Sequence, residues 1–242
     1  SAVERALKML DEGADIIDVG GESSRPGASP VSAEEEKKRI LPVINELKRI
    51  RPDCVISADT TKDSVAEAAL EAGADIINDI SGLRNSQNLA RIAAKYGAGI
   101  ILMHMRGSPA TMSQKTSYQN LFDDLISELR ESMDKAVSDG IPRDNIIIDP
   151  GIGFAKNADQ CLEILKNADR FHELGRPVMI GHSKKSFLGC AAGGASPEKR
   201  LPATIAGSFW LALKKIEFIR VHDAAENIQA VKLAEKIGAL KK

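Results

Sequence analysis

The sequence predicts an α/β protein, a TIM (β/α)8 barrel of parallel strands, and three observations carry that prediction. A unit repeats: "DEGADIIDV" at 11–19 returns as "EAGADIINDI" at 71–80 and as "KYGAGIILMHM" at 95–105. Each opens on a glycine where a helix should stop, at a position that favours left-handed φ. Each continues as a short β-branched run too apolar to alternate, as expected of a strand covered on both faces. Four further runs behave alike: "CVISADT" (54–60), "NIIIDPG" (145–151), "PVMIGHS" (177–183) and "EFIRVHD" (217–223). Helical patterns separate them, and strand–helix alternation implies a parallel sheet with right-handed crossovers.

The chain opens on a helix, "SAVERALKMLDEG", ahead of the first strand run at 16–19. A second helix, 33–50, has Ser32 and Glu35 spaced as a capping box. The strand at 54–60 leads into a helix at 62–72, then come the strand units at 71–80 and 95–105 and a long helix within 119–140. The last helix spans 224–240 and offers an apolar face to a partner. Seven strands leave a barrel with a gap, so an eighth is expected before Ser1, because residues 1–10 already read as the helix that follows a first strand. An open doubly wound sheet is the alternative, but the chain has no G-x-G-x-x-G or G-x-x-x-x-G-K-[ST] phosphate loop.

Composition narrows the function classes. The 242 residues suit one domain, 1–242, at the ~250 usual for such a barrel. Lys plus Arg number 33 against 34 Asp plus Glu, a net charge of −1, which argues against nucleic acid as a partner. Cys54, Cys161 and Cys190 lie far apart with no C-x-x-C spacing, pointing to a reducing compartment rather than a disulfide framework or zinc site. No apolar run reaches the ~20 residues of a membrane span, so a cytoplasmic protein is expected.

In such a barrel the C-terminal strand ends share one mouth, where catalysis gathers. Those ends supply Asp18 with Glu22, Asp59, Asn78 with Asp79, His104 with Arg106, Asp149, His182 with Lys184 and Lys185, then Arg220, His222 and Asp223. Arg25, Arg106, Lys185, Arg220 and His222 suit a polyanion, arginine through its planar fork. Asp59, Asn78 and Asp149 suit the donors and acceptors of a flat, nitrogen-rich ring, which Ile80, Met103 and Phe154 can sandwich. Blander readings stand beside these. Asp18 and Asp79 read as turn caps or partners of nearby cations, His104 and Met103 as core residues and Lys184 as solvent-facing. The stretch 106–112 reads as a plain loop, and the charge run 34–39 as an exposed helix face.

The stretches "DIIDVGGESSRPGA", "DIINDISGL", "LMHMRGSPATM", "IIIDPGIGFAK", "GHSKKSFLG" and "IRVHD" together resemble the dihydropteroate synthase family across essentially the whole chain. That resemblance implies a TIM barrel that joins 6-hydroxymethyl-7,8-dihydropterin pyrophosphate to p-aminobenzoate and releases pyrophosphate, with Mg²⁺ and as a homodimer. It implies that Asp59, Asn78, Asp149 and Lys185 bind the pterin, with Ile80, Met103 and Gly181 lining its pocket. Arg220 and His222 would hold the pyrophosphate, while Ser24, Arg25 and Pro26 close over p-aminobenzoate together with Phe154, Lys185 and Ser186. Asp59, Asp149 and Lys185 are the expected catalytic set. The chain departs from the family pattern at Ser24, where threonine is usual, and at His182 and Lys184 in the G-[ST]-S-R-K-S motif. The family's first strand and its asparagine-bearing loop are absent from the sequence. A methyltetrahydrofolate-dependent corrinoid methyltransferase and a non-catalytic pterin-binding relative are the competing readings. Neither accounts as well for the S-R-P-G loop, the S-K-K-S lysines and the acids kept at the strand ends.

Overall fold

A computed structural model describes residues 1–25 and 27–239. Nine α-helices and seven strands alternate along them. In chain order these are α1 (Ala2–Asp11), β1 (Ile16–Gly20), α2 (Ala33–Ile50), β2 (Val55–Asp59), α3 (Asp63–Glu71) and β3 (Ile76–Asp79). Next come α4 (Leu89–Lys95), β4 (Gly99–Met103), α5 (Leu121–Ser138), β5 (Ile146–Asp149), α6 (Ala158–Lys166) and β6 (Met179–Ile180). The chain continues through α7 (Ser186–Ala191), α8 (Leu201–Leu213), β7 (Phe218–Ile219) and α9 (Ala224–Gly238).

All the strand pairs are parallel and follow chain order. β1 to β5 form one ladder, a single parallel bridge from Ile148 to Val178 carries it to β6, and β6 pairs with β7. No ladder joins β7 back to β1 among the described residues. Instead the Arg220 guanidinium, one residue past β7, donates to Asp18 on β1 at 3.0 Å. The arrangement is the barrel that the repeat predicts, with a seam between its first and last strands. The burial pattern follows: β2 to β6 are covered over most of their length, while both residues of β7 are half-buried.

The repeat's glycines behave as expected, with φ of 102° at Gly13 and 103° at Gly73, a conformation costly for any residue with a Cβ. Helix α5 buries Phe122, Leu125, Ile126, Leu129, Met133 and Ala136, a three-and-four spacing that lays one stripe on the strands. Two expectations are corrected. The box at the start of α2 is half made: Ser32 accepts from the Glu35 N–H at 3.2 Å, but the Glu35 carboxylate turns to Arg39 at 2.9 Å. The charge run 34–39 is not uniformly exposed either, because Glu36 is 1% exposed. Lys62, at the start of α3, donates to both Glu36 and Glu22, which is why a carboxylate survives burial there.

Candidate active site

Strand ends build the floor of the site. Asp18 accepts from Asn78 Nδ2 at 3.3 Å and from Arg220 at 3.0 Å, and Arg220 also stands 3.8 Å from Asp59. Burial raises the Asp59 carboxyl to about 7, with the Asp18 charge adding to the rise and Arg220 opposing it. Asp149 is buried as well and raised for the same reason, though Lys185, the Gly151 N–H at 2.7 Å and Arg220 pull the other way. Burial works against the Arg220 cation, but Asp18, Asp59 and Asp149 outweigh it and raise its pKa. The lysine loses: burial pulls Lys185 down to about 8 despite Asp149. Buried polar atoms remain unmatched in this group, the Asn78 Oδ1 and the Arg220 Nε. Buried groups without partners are costly, so a polar ligand with a complementary edge is what this floor fits. Gly181 lets Arg220 come close, since a Cβ there would lie 3.3 Å from its Nε.

The loop after β5 forms one wall. Gly151, Gly153 and Ala155 have φ of 65°, 84° and 50°, so the backbone is folded back on itself within five residues. Side chains capture its carbonyls in turn. Lys185 donates to Ile152, Lys156 donates to Phe154 at 2.9 Å, and the Tyr118 hydroxyl donates to Ala155 at 2.9 Å. The Phe154 ring lies 4.5 Å from the Lys185 ammonium and belongs to a small apolar cluster with Ile80, Met103, Met105, Met112 and Ala155, set apart from the main core. Ile80, Met103 and Phe154 are thus brought together as the sequence implied.

Lys156 was missed by sequence reasoning. Its sole signal is a lone lysine at the end of the apolar run Ile152–Ala155. It is buried, and that burial lowers it to about 7. Its amine sits 3.1 Å from His104 Nδ1, and His104 Nε2 sits 3.1 Å from Glu128. The His104 imidazole, lowered to about 4 by burial and then by Lys156, is a neutral core histidine. Arg106 is no free anion receptor: it donates to Glu128 at 2.8 Å, to Asp124 at 3.0 Å and to the Ser117 carbonyl at 2.6 Å, and stacks on Tyr118. Asp79 caps its own turn, accepting from the Ser81 and Leu83 N–H groups.

The far wall joins the ends of β6 and β7. His222 Nδ1 lies 2.8 Å from the Ser183 hydroxyl, which also accepts the His222 N–H at 3.2 Å. Burial lowers the His222 pKa, and Arg220, Arg5 and Lys184 add to the effect. Lys184 is not solvent-facing as expected: at φ 54° it pairs with Asp223 at 2.8 Å and takes no part in the floor. His182 is buried, donating Nε2–H to the Thr204 carbonyl at 2.9 Å, and it fits because position 207 is glycine, where a Cβ would come within 2.7 Å of its ring. Ser186 is exposed at the start of α7 beside Lys185. Ser24 is half-buried and Arg25 exposed, on a loop whose Gly27 N–H reaches the Pro109 carbonyl at 3.4 Å. The structure therefore lays that loop on the 106–112 segment and records no bond from Ser24 or Arg25 to Phe154 or Lys185. Pro26 lies outside the described residues.

Residues 1–222 match the family described as "Pterin binding enzyme". A dihydropteroate synthase of Clostridium beijerinckii is 44% identical, over 98% of this chain and 85% of that protein. A probable bifunctional folylpolyglutamate synthase/dihydropteroate synthase of Haloferax volcanii is also 44% identical, over 96% of this chain, which spans 27% of that longer protein. Among solved structures, dihydropteroate synthase from Anaplasma phagocytophilum with bound 6-hydroxymethylpterin-monophosphate superposes with a TM-score of 0.92 at 36% identity, covering 98% of this chain and 93% of that one. The Thermus thermophilus enzyme in complex with 4-aminobenzoate superposes with a TM-score of 0.90 at 36% identity, over 98% of this chain and 90% of that one.

Proposed function

The chain belongs to the pterin-binding enzyme family, and from that premise we propose that it joins 6-hydroxymethyl-7,8-dihydropterin diphosphate to p-aminobenzoate, giving 7,8-dihydropteroate and diphosphate. One observation carries the reading. Asp18, Asp59, Asn78 and Arg220, from four separate strand ends, meet in a single bonded group with unmatched acceptor and donor atoms. Relatives support the two ligand classes, since their structures hold a pterin monophosphate and 4-aminobenzoate.

In this reading Asp59, Asn78 and Asp149 hold the pterin edge, Lys185 and Gly181 border it, and Arg220 and His222 hold the diphosphate. The C–O bond to diphosphate breaks with its electron pair leaving on the oxygen, the amine lone pair of p-aminobenzoate then forms the new C–N bond, and that nitrogen gives its extra proton to water. Asp59 and Asp149, in their ionised forms, stabilise positive charge on the pterin methylene, and Arg220 stabilises the departing anion. Preorganised charge of this kind often supplies the largest catalytic share. Phe154, Lys185 and Ser186 offer an apolar face, a cation and a hydroxyl to the second substrate, and the loop carrying Ser24 and Arg25 closes over it.

Mg²⁺ has no protein cage: no group of three His, Cys, Asp or Glu able to hold a metal occurs among the described residues. This ion commonly binds through one or two carboxylates plus substrate phosphates, so it is proposed to arrive with the diphosphate. A homodimer is proposed on the exposed Trp210 and Leu213 of α8 and Leu233 and Ile237 of α9. A cytoplasmic setting is proposed on the three free cysteines. No described helix is long and apolar enough to cross a membrane.

The test is product formation from the two substrates, with and without Mg²⁺. Release of dihydropteroate and diphosphate is expected, and a protein that binds the pterin diphosphate yet never makes product overturns the proposal. A ternary complex with p-aminobenzoate and diphosphate separates this reaction from methyl transfer, which has no use for either.

A further inference from the structure

Among the described residues, Lys156 is the buried lysine near the site that the proposed reaction does not use. Its ammonium has no carboxylate within hydrogen-bonding distance; its partners are the Phe154 carbonyl at 2.9 Å and His104 Nδ1 at 3.1 Å. Burying a lysine among neutral partners is unfavourable, and the surroundings hold it down at about 7. A chain keeps such a group only where something is gained. The gain is visible in the backbone beside it. Ala155 is a non-glycine residue at φ 50°, flanked two residues earlier by Gly153 at 84°, and conformations of this kind persist only when the surroundings over-determine them. The carbonyls on each side of the bend, Phe154 and Ala155, are taken by Lys156 and Tyr118.

The other end of the lysine is anchored just as firmly. His104 follows β4, and its backbone N–H is held as well, donating to the Asp149 carbonyl at 2.8 Å. Its Nε2–H faces Glu128 on α5, which is also bonded by Arg106 and Arg84. Burial would raise the Glu128 carboxyl, yet His104 and Arg106 hold it at about 2, so it stays an anion. This leaves His104 as a neutral ring with Nδ1 free to accept from Lys156. The chain α5–Glu128–His104–Lys156–Phe154 is therefore a rigid strut from an outer helix to the aromatic wall.

We infer that Lys156 is a positioning residue: through its bond to the Phe154 carbonyl it sets the aromatic ring against which the arylamine substrate docks. Among the described residues it makes no hydrogen bond to Asp59, Asn78, Asp149 or Arg220, so its bonded influence falls on the aromatic wall. This inference rests on the proposed reaction.

The test uses the whole chain carrying Lys156→Met, which keeps the side-chain length and removes the donor. The KM for p-aminobenzoate should rise about tenfold, the worth of one lost hydrogen bond, with the KM for the pterin diphosphate within about twofold of the parent. Amide hydrogen exchange should quicken about tenfold at 151–156 and stay unchanged in β1 to β4. Lys156→Gln, which keeps a shorter donor, should show a smaller rise in the same KM alone, and it carries the test if the methionine variant does not fold. Equal rises in both KM values, or unchanged exchange at 151–156, overturn the inference. A parent protein that makes no product overturns the proposed reaction instead, while the exchange measurement still judges the strut.

Discussion

Asp59 shows how one residue ties stability to function. In the fold it keeps its proton up to about pH 7, whereas in an unfolded chain it ionises near 3.8. A raised folded pKa gives stability that is full below the lower value and is lost as pH rises through the upper one. Asp59→Asn, which cannot ionise, should therefore gain on the parent as pH rises: the difference in Tm is larger at pH 8 than at pH 4. The same variant should lose about 10²–10³ in turnover, the usual cost of one preorganised group. A variant with near-parental kcat removes Asp59 from the site. Gly151 is a second such position. At φ 65°, with any Cβ placed 2.0 Å from the His104 carbonyl oxygen, Gly151→Ala has no room and a costly backbone. It should destabilise the protein by about 2 kcal/mol or more, read as a lower urea midpoint.

At the level of elements, α5 does more than cover the strands. Its apolar stripe was legible because packing imposes a period, whereas Glu128 was not, because the partners of a polar side chain follow no period. One carboxylate there answers Arg84, Arg106 and His104 from the loops after β3 and β4. Glu128→Gln keeps the shape and removes the charge, leaving two arginines short of a partner. Because the group is partly solvated, about 1–2 kcal/mol of stability should go, measured by urea unfolding. A variant as stable as the parent means the cluster is only a surface feature. The same distinction explains α2: the spacing of Ser32 and Glu35 announced a cap, but Arg39 one turn on was a better partner for Glu35 than the backbone was. Helix α8 escaped notice because "LPATIAGSFWLAL" is apolar on every side, so it carries no stripe to read.

For the whole molecule, strand order was legible from the repeated glycine-plus-apolar unit together with the lack of a phosphate loop, which favoured strands laid side by side in sequence over a doubly wound sheet. The convergence of the acids followed from it, because parallel strands end on one side. What no sequence pattern announces is the bond that spans the seam, as Asp18 and Arg220 stand 202 positions apart. Where neighbouring strands elsewhere are stitched by backbone amide bonds, among the described residues a carboxylate and a guanidinium make the clasp between β1 and the end of β7. Warming should spring that clasp first. Turnover should then vanish several degrees before the helices melt by circular dichroism, so this protein is expected to go blind to its substrates while still looking folded.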